Sequence, residues 1–134
     1  MMQKEKSSPR KIYVFGNPMV KKDTLAVTVA KRLADDFPEI TFIHLDPNEE
    51  INEKDVTLLD VAYGIKKVSV IDDLDKLDVG KKVSLHDYDV AFSLKLMKKI
   101  GMIKKVNIIA IPINYSLAKA CREVSDYLHL TFKK

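Results

Sequence analysis

Three residues of this chain, Asp23, Asp60 and His86, carry the side chains that a divalent transition metal binds in proteins. Asp23 and Asp60 each follow a segment that is predicted to be a β-strand, and His86 comes just before a predicted amphipathic helix. In an open α/β sheet, ligands bind in the crevice beyond the carboxyl ends of the strands, so residues far apart in sequence can meet there. Two carboxylates and one imidazole would form an open metal site, with coordination positions left for a substrate.

Each of these residues also has a plainer structural interpretation. Asp23 precedes the helix predicted from Thr24 and could be its N-cap. Asp60 follows the apolar run 56–59 and could stabilise a turn through its carboxylate. His86 lies in a predicted loop, where a histidine is most often solvated. Residue type and position alone leave both interpretations open.

Other groups that could do chemistry receive less support from the sequence. Cys121 falls on the apolar face of the last predicted helix, where cysteine behaves as a small hydrophobic residue. Ser84 and His86 lack the G-x-S-x-G turn of a serine hydrolase, and the glycine patterns of phosphate and dinucleotide loops are absent. His44 and His129 are predicted to be structural or solvated.

The elements that must position these residues alternate along the chain. Strands are predicted at 11–15, 40–45, 55–59, 67–71 and 106–111, and helices at 24–36, at 87–100 and after Ser116. This alternation predicts a three-layer α/β/α fold with a mostly parallel sheet of about five strands. Because the segment 46–54 is too short for a full helix, one strand near it is expected to run antiparallel.

Composition and charge indicate one globular domain. The 134 residues are 46% hydrophobic and 31% charged, which is typical of such a domain, and we expect a disordered tail at 1–10 before a single domain at 11–134. The net charge of +4 comes from these first ten residues and from Lys133 and Lys134. Residues 11–132 are neutral as a sum, so the sequence predicts no basic surface on the folded body and argues against nucleic-acid binding.

Cysteine usage and hydropathy predict the compartment. The chain has one cysteine and therefore no intramolecular disulfide, which favours a reducing environment. It has no apolar run long enough to cross a membrane, and its first ten residues lack the apolar core of a secretory signal. We expect a cytoplasmic protein without direct membrane insertion.

Taken together, the candidate ligands and their surroundings resemble the hydrogenase maturation proteases. These endopeptidases remove the C-terminal peptide from the large subunit of nickel–iron hydrogenases. That family opens with a strand and a G-N-x-L segment, followed by an acidic residue at the start of the first helix; 16–19 and Asp23 are similar. Its second acidic ligand ends an apolar strand shortly before a glycine, as do Asp60 and Gly64 here.

The resemblance extends from about Lys11 to Pro112. The family's histidine opens a leucine-rich helix that ends in glycine, and His86 with the segment up to Gly101 is similar. The closing strand with proline is similar to Val106–Pro112.

The resemblance implies a function as well as a fold. Asp23, Asp60 and His86 would contact nickel already inserted in the precursor of a nickel–iron hydrogenase large subunit, which is the implied partner, so that cleavage waits for the metal. Whether that metal is catalytic or only a recognition handle stays open.

One departure from the family pattern supports an alternative. Where the family commonly has an acidic pair followed by glycine, this chain has Lys22-Asp23-Thr24. The chain could therefore be a divergent, non-catalytic paralogue that acts as a binding or chaperone-like module for a metalloenzyme subunit. A third possibility is an unrelated α/β domain in which all three residues only cap helices and form turns.

Overall fold

The computed structural model describes residues 10–15, 24–45, 51, 53–76, 84–85 and 88–131. In these ranges the strands are β1 (Arg10–Val14), β2 (Ile40–His44), β3 (Asp55–Tyr63), β4 (Ser69–Ile71), β5 (Ser84–Leu85) and β6 (Lys105–Pro112). The helices are α1 (Thr24–Ala34), α2 (Tyr88–Lys99) and α3 (Leu117–Thr131), with a 3₁₀ turn at Leu74–Lys76. No helix in these ranges is long and apolar enough to cross a membrane.

The strands form one mixed, mostly parallel sheet. Its order is β2-β1-β3-β6-β4, and the short β5 pairs with β3 off this path. The β1–β2, β1–β3 and β3–β6 pairs are parallel, whereas β4 runs antiparallel to β6 and β5 runs antiparallel to β3. The predicted α/β fold with a mostly parallel sheet is therefore confirmed.

Helices cover both faces of this sheet. Alternate residues of each strand point to opposite faces, and the buried side chains separate into two clusters accordingly. One cluster joins Ile12 and Val14 of β1 to buried residues of α1 and α3. The other joins Tyr13 of β1 and Leu58 of β3 to Leu94 of α2. α1 and α3 thus form one outer layer, and α2 lies in the other.

The antiparallel strands are not the ones that the sequence indicated. β2 and β3 are both parallel to β1, although only residues 45–54 connect them. Ten extended residues can span about 30 Å, which exceeds the roughly 17 Å length of a five-residue strand, so the connection needs no helix. Ile51, inside this connection, is buried in the core on the α2 side.

β3 is longer than predicted, and this changes the position of Asp60. The strand was expected to end before Asp60, but it continues to Tyr63 because Val61 and Ala62 are buried and pair with Ile111 and Pro112 of β6. The segment that follows Asp60 is apolar enough to remain in the core. Asp60 therefore lies inside a strand and not at the outer lip of the sheet.

The predicted glycine stop after α2 is confirmed. Gly101 has a φ of +87°, and the N–H groups of Gly101 and Met102 donate to the carbonyl oxygens of Lys98 and Met97 at 3.1 and 2.9 Å. This pair of bonds is the Schellman motif, in which glycine adopts the left-handed conformation at little cost. The chain turns sharply here and enters β6.

Polar contacts fix the start of α3 against the segment that precedes β4. The Lys119 N–H donates to Ser116 Oγ at 3.2 Å, which confirms Ser116 as the N-cap. Glu123 Oε1 accepts hydrogen bonds from the Val68 N–H at 3.1 Å and from the Tyr115 hydroxyl at 2.9 Å. The Val68 hydrogen bond, reinforced by Tyr115, holds the pKa of Glu123 below its ordinary value.

We expect this carboxylate to make stability pH-dependent. A carboxyl group with a lowered folded-state pKa contributes stability above its unfolded pKa, about 4.3, and loses it as pH falls through the folded value. Glu123→Gln should therefore lower the thermal midpoint at pH 7, and its difference from wild type should shrink below pH 4. Asp126→Asn removes an exposed carboxylate from the same helix and is the control. A Glu123→Gln deficit that stays constant down to pH 3 would contradict this assignment.

Candidate functional site

Asp60 is the only buried charged side chain among those that the structure describes. Its exposure is 3%, and its neighbours Leu59 and Val61 are equally buried. An ionised carboxylate loses much of its hydration when it is buried, so such a residue persists only where other groups replace water. A buried carboxylate in the central strand of a sheet therefore requires a specific explanation.

Asp60 lies at the point where the sheet changes its direction of winding. From β1 the chain passes through α1 to β2 on one side, whereas from β3 it passes through β4, β5 and α2 to β6 on the other. α1 and α2 lie on opposite faces, so the two connections separate at the carboxyl ends of β1 and β3. A crevice at such a switch point is the usual binding place in open α/β sheets.

The hydrogen bonds around Asp60 show why its side chain turns toward this crevice. The Phe15 N–H donates to the Leu59 carbonyl at 3.2 Å, which is where β1 stops pairing with β3. From Ala62 onward, β3 pairs instead with β5, through Leu85. The Val61 N–H points to the same side of β3 as the Leu59 carbonyl, because backbone groups alternate along a strand. Asp60 Oδ1 accepts this N–H at 2.8 Å. The carboxylate thus occupies the interval between β1 and β5.

Strand alternation also determines which layer Asp60 faces. Leu58 and Ala62 belong to the cluster on the α2 side, whereas Leu59 and Val61 belong to the cluster on the α1 and α3 side. Asp60 therefore faces the layer that contains α2. The turn-stabilising role considered for this carboxylate is present in a modified form: it satisfies a strand N–H that β1 no longer reaches.

Asp23 and His86, the other two predicted ligands, lie outside the described residues. Their described neighbours are informative. Thr24 is the first residue of α1, and Leu85 pairs with Ala62, two residues beyond Asp60. In sequence, Asp23 comes directly before α1, and His86 comes directly after β5, the strand that pairs with the end of β3.

The described ranges contain no group of three or more His, Cys, Asp or Glu side chains placed to hold a metal ion. Of the three predicted ligands, only Asp60 is among the described residues, so this finding does not test the site that the three would form together. The chemistry of Asp60 still suits a cation: a carboxylate has two oxygens, and each can accept more than one bond.

The remaining sequence candidates have structural surroundings. Cys121 is partly buried between α1 and α3, and burial raises the pKa of its thiol, which disfavours the nucleophilic thiolate. The His129 ring lies 4.8 Å from the Phe37 ring, consistent with the structural role predicted for it. Ser84 lies in β5, a strand that the sequence did not predict because two residues carry no detectable periodicity.

The chain matches no protein-family model, and no curated protein or solved structure is significantly similar to it.

Asp60→Asn and Asp60→Ala should separate the structural role of this side chain from any role in binding. The Asn side chain keeps an oxygen for the Val61 N–H, so we expect its free energy of unfolding to remain within about 1 kcal/mol of wild type. The Ala variant leaves that buried N–H unsatisfied and should lose about 1–3 kcal/mol. Urea unfolding measures both.

An Asn variant as unstable as the Ala variant would contradict this account of Asp60. It would mean that the negative charge, and not the hydrogen bond to Val61, stabilises the fold.

Proposed function

We propose that this chain is an endopeptidase that removes the C-terminal peptide of a nickel–iron hydrogenase large subunit after nickel insertion. In this proposal Asp23, Asp60 and His86 recognise the nickel carried by the substrate. The precursor of the large subunit is the partner, and nickel arrives as part of it.

The observation that supports this proposal most directly is the position of Asp60. Its carboxylate is buried at the switch point between β1 and β3, where open α/β sheets bind ligands. A turn-forming aspartate would normally be exposed, because its hydrogen bond needs no burial. A ligand for a metal held away from water would be buried, as this one is.

The path of the chain around Asp60 supports a common site with the other two residues. Residues 15–23 connect β1 to α1, and in sequence His86 lies between β5 and α2. Both connections start at the carboxyl-end side of the two strands that flank the crevice. His86 receives the stronger support, since β5 is paired with β3 just beyond Asp60.

The proposed chemistry is hydrolysis of one peptide bond. A water oxygen forms a bond to the scissile carbonyl carbon, the carbon–nitrogen bond breaks, and a proton passes to the leaving amine. Two carboxylates and a neutral imidazole would complete the coordination of the substrate's nickel, and the metal would polarise the carbonyl or activate the water. Cleavage would then require the metal, because without it the substrate lacks its anchor.

A second function is favoured by Lys22, the residue beside Asp23. An ammonium group next to a metal ligand weakens cation binding through like-charge repulsion. A chain with this change could retain partner binding as a chaperone-like module and no longer cut.

Calorimetric titration of Ni²⁺ and Zn²⁺ into tag-free protein tests the site. We expect saturable binding at one site, reduced at least about tenfold in both Asp60→Asn and His86→Ala, because loss of a ligand or its charge weakens a metal site strongly. His44→Ala removes a histidine from β2 and should bind like wild type. Equal binding by all four proteins would contradict the shared site and favour a domain with capping residues only.

Metal affinity should also fall in acid. The imidazole must be neutral to bind, so affinity should be constant above the histidine pKa, about 6.5, and about tenfold weaker one pH unit below it. Titrations between pH 5 and 8 measure this profile. An affinity that does not change across that interval would exclude His86 as a ligand.

Processing of a nickel-loaded large-subunit precursor distinguishes the two functions. Shortening of the precursor by wild type, and not by His86→Ala, would support the endopeptidase. Stable binding without shortening, together with cutting by a Lys22→Glu variant, would support the non-catalytic module.

A further inference from the structure

The basic residues of the folded body are distributed unevenly. Residues 90–122 contain seven lysines and arginines and no acidic residue, and five of the lysines lie in residues 95–105. The neutral sum over residues 11–132 conceals this concentration. The expectation that the folded body has no basic surface is therefore wrong for this part of the chain.

Residues 95–105 and Lys54 form one continuous surface, which we call the α2-end surface. The Lys54 ammonium donates to the Gly101 carbonyl at 3.0 Å. The Lys54 carbonyl accepts from the N–H groups of Lys104 and Lys105 at 2.8 and 2.9 Å. The end of α2, the glycine turn and the start of β6 are thus joined, and most of their lysines are exposed.

Two large apolar side chains are exposed on this surface. Leu96 and Ile100 are 49% and 62% exposed, and they are four residues apart, so they lie on the same side of the helix end. The core side of the same segment is formed by Met97 and Ile103, next to the buried Leu94 one turn earlier in α2. The segment therefore has a buried apolar side and, in addition, an exposed apolar pair between lysines.

Nearby carboxylates reduce the positive charge and do not cancel it. Asp73 and Asp75 line a cleft of about 310 Å³ together with Lys95, Lys98 and Lys99. Asp55 pairs with Lys105 in the sheet register. Among the described residues named here, these three acidic residues stand against six lysines, a net charge of +3.

Helix stabilisation explains only part of this arrangement. Lys98 and Lys99 occupy the last turn of α2, where cations interact favourably with the helix dipole. Lys104 and Lys105 lie in the segment that follows the helix and outside its last turn. Helix stabilisation also does not explain why Leu96 and Ile100, two large apolar side chains, are exposed.

We propose that the α2-end surface binds anionic lipid membranes peripherally. A basic amphipathic segment of this kind is typical of surfaces that place lysines among anionic headgroups and apolar side chains at the acyl boundary. This binding site is independent of the proposed protease site and does not require it.

The residue types favour lipid over the other anionic macromolecules. Protein interfaces are enriched in arginine and aromatic residues and depleted in lysine, whereas all the cations of this surface are lysines. Nucleic-acid interfaces place polar and charged groups against phosphates, where an exposed Leu96 and Ile100 would contact nothing apolar. A lipid surface supplies both phosphate charge and acyl chains.

Co-sedimentation with vesicles tests this proposal on the full chain. Vesicles of phosphatidylcholine containing about one-third phosphatidylglycerol should bind wild type at least tenfold more strongly than phosphatidylcholine alone at about 0.05 M salt. Lys98→Glu/Lys99→Glu should lower binding by roughly 25-fold or more, since each lysine near an anionic surface contributes about fivefold. Binding should also fall sharply at about 0.5 M salt, where screening shortens the range of the attraction.

Matched variants control for charge, hydropathy and folding. Lys66→Glu/Lys67→Glu makes the same charge change at exposed lysines before β4 and should bind like wild type. Leu96→Ser/Ile100→Ser should reduce binding several-fold, whereas Leu130→Ser, at an apolar residue of α3 that is 85% exposed, should not. Circular dichroism of each variant confirms that it is folded.

Three results would overturn the proposal. The first is that the protein does not bind the anionic vesicles. The second is an equal loss of binding in the two lysine-pair variants, which would assign the binding to overall charge or to the basic chain ends. The third is binding of duplex DNA that Lys98→Glu/Lys99→Glu abolishes, while vesicles bind none of the proteins.

Discussion

The unequal lengths of β1 and β3 are the constraint on which the structure around the candidate site depends. β6 pairs with β3 over eight consecutive residues, whereas β1 pairs with it only at Leu58 and Leu59. β3 therefore continues into the core beyond the end of β1, and β1 provides no carbonyl oxygen for the Val61 N–H. The carboxylate of Asp60 accepts the Val61 N–H, and the side chain is buried in this position. A charged group is thus held at the switch point by the geometry of the sheet itself.

The same constraint determines what surrounds this charge. Because β1 ends early, the short β5 can pair with the end of β3, and the chain enters α2 directly from that position. The layer above Asp60 is therefore the α2 layer, whose far end carries the exposed lysines. α2 spans 12 residues, about 18 Å, so its two ends can serve different purposes. One end adjoins the proposed protease site, and the other carries the proposed membrane-binding surface.

The sequence predicted the order of the main elements because each strand and helix has its own apolar pattern. It also predicted Gly101 and Ser116, whose local hydrogen bonds depend on few neighbours. It failed where pairing with distant strands decides the outcome. The end of β3 depends on β6 covering Val61 and Ala62, and the direction of β4 depends on which strand it joins. For the same reason the burial of Asp60 was not predictable, although its residue type marked it as a candidate.

The measurement that tests the account most directly is anomalous diffraction at the nickel absorption edge from crystals of the chain soaked with Ni²⁺. We expect one strong peak at the switch point between β1 and β3, with the metal roughly 2.1 Å from an oxygen of Asp60 and from a nitrogen of His86. Asp23 should complete the protein ligands. A peak at another histidine, or an ordered structure in which Asp60 and His86 cannot reach one ion, would contradict it.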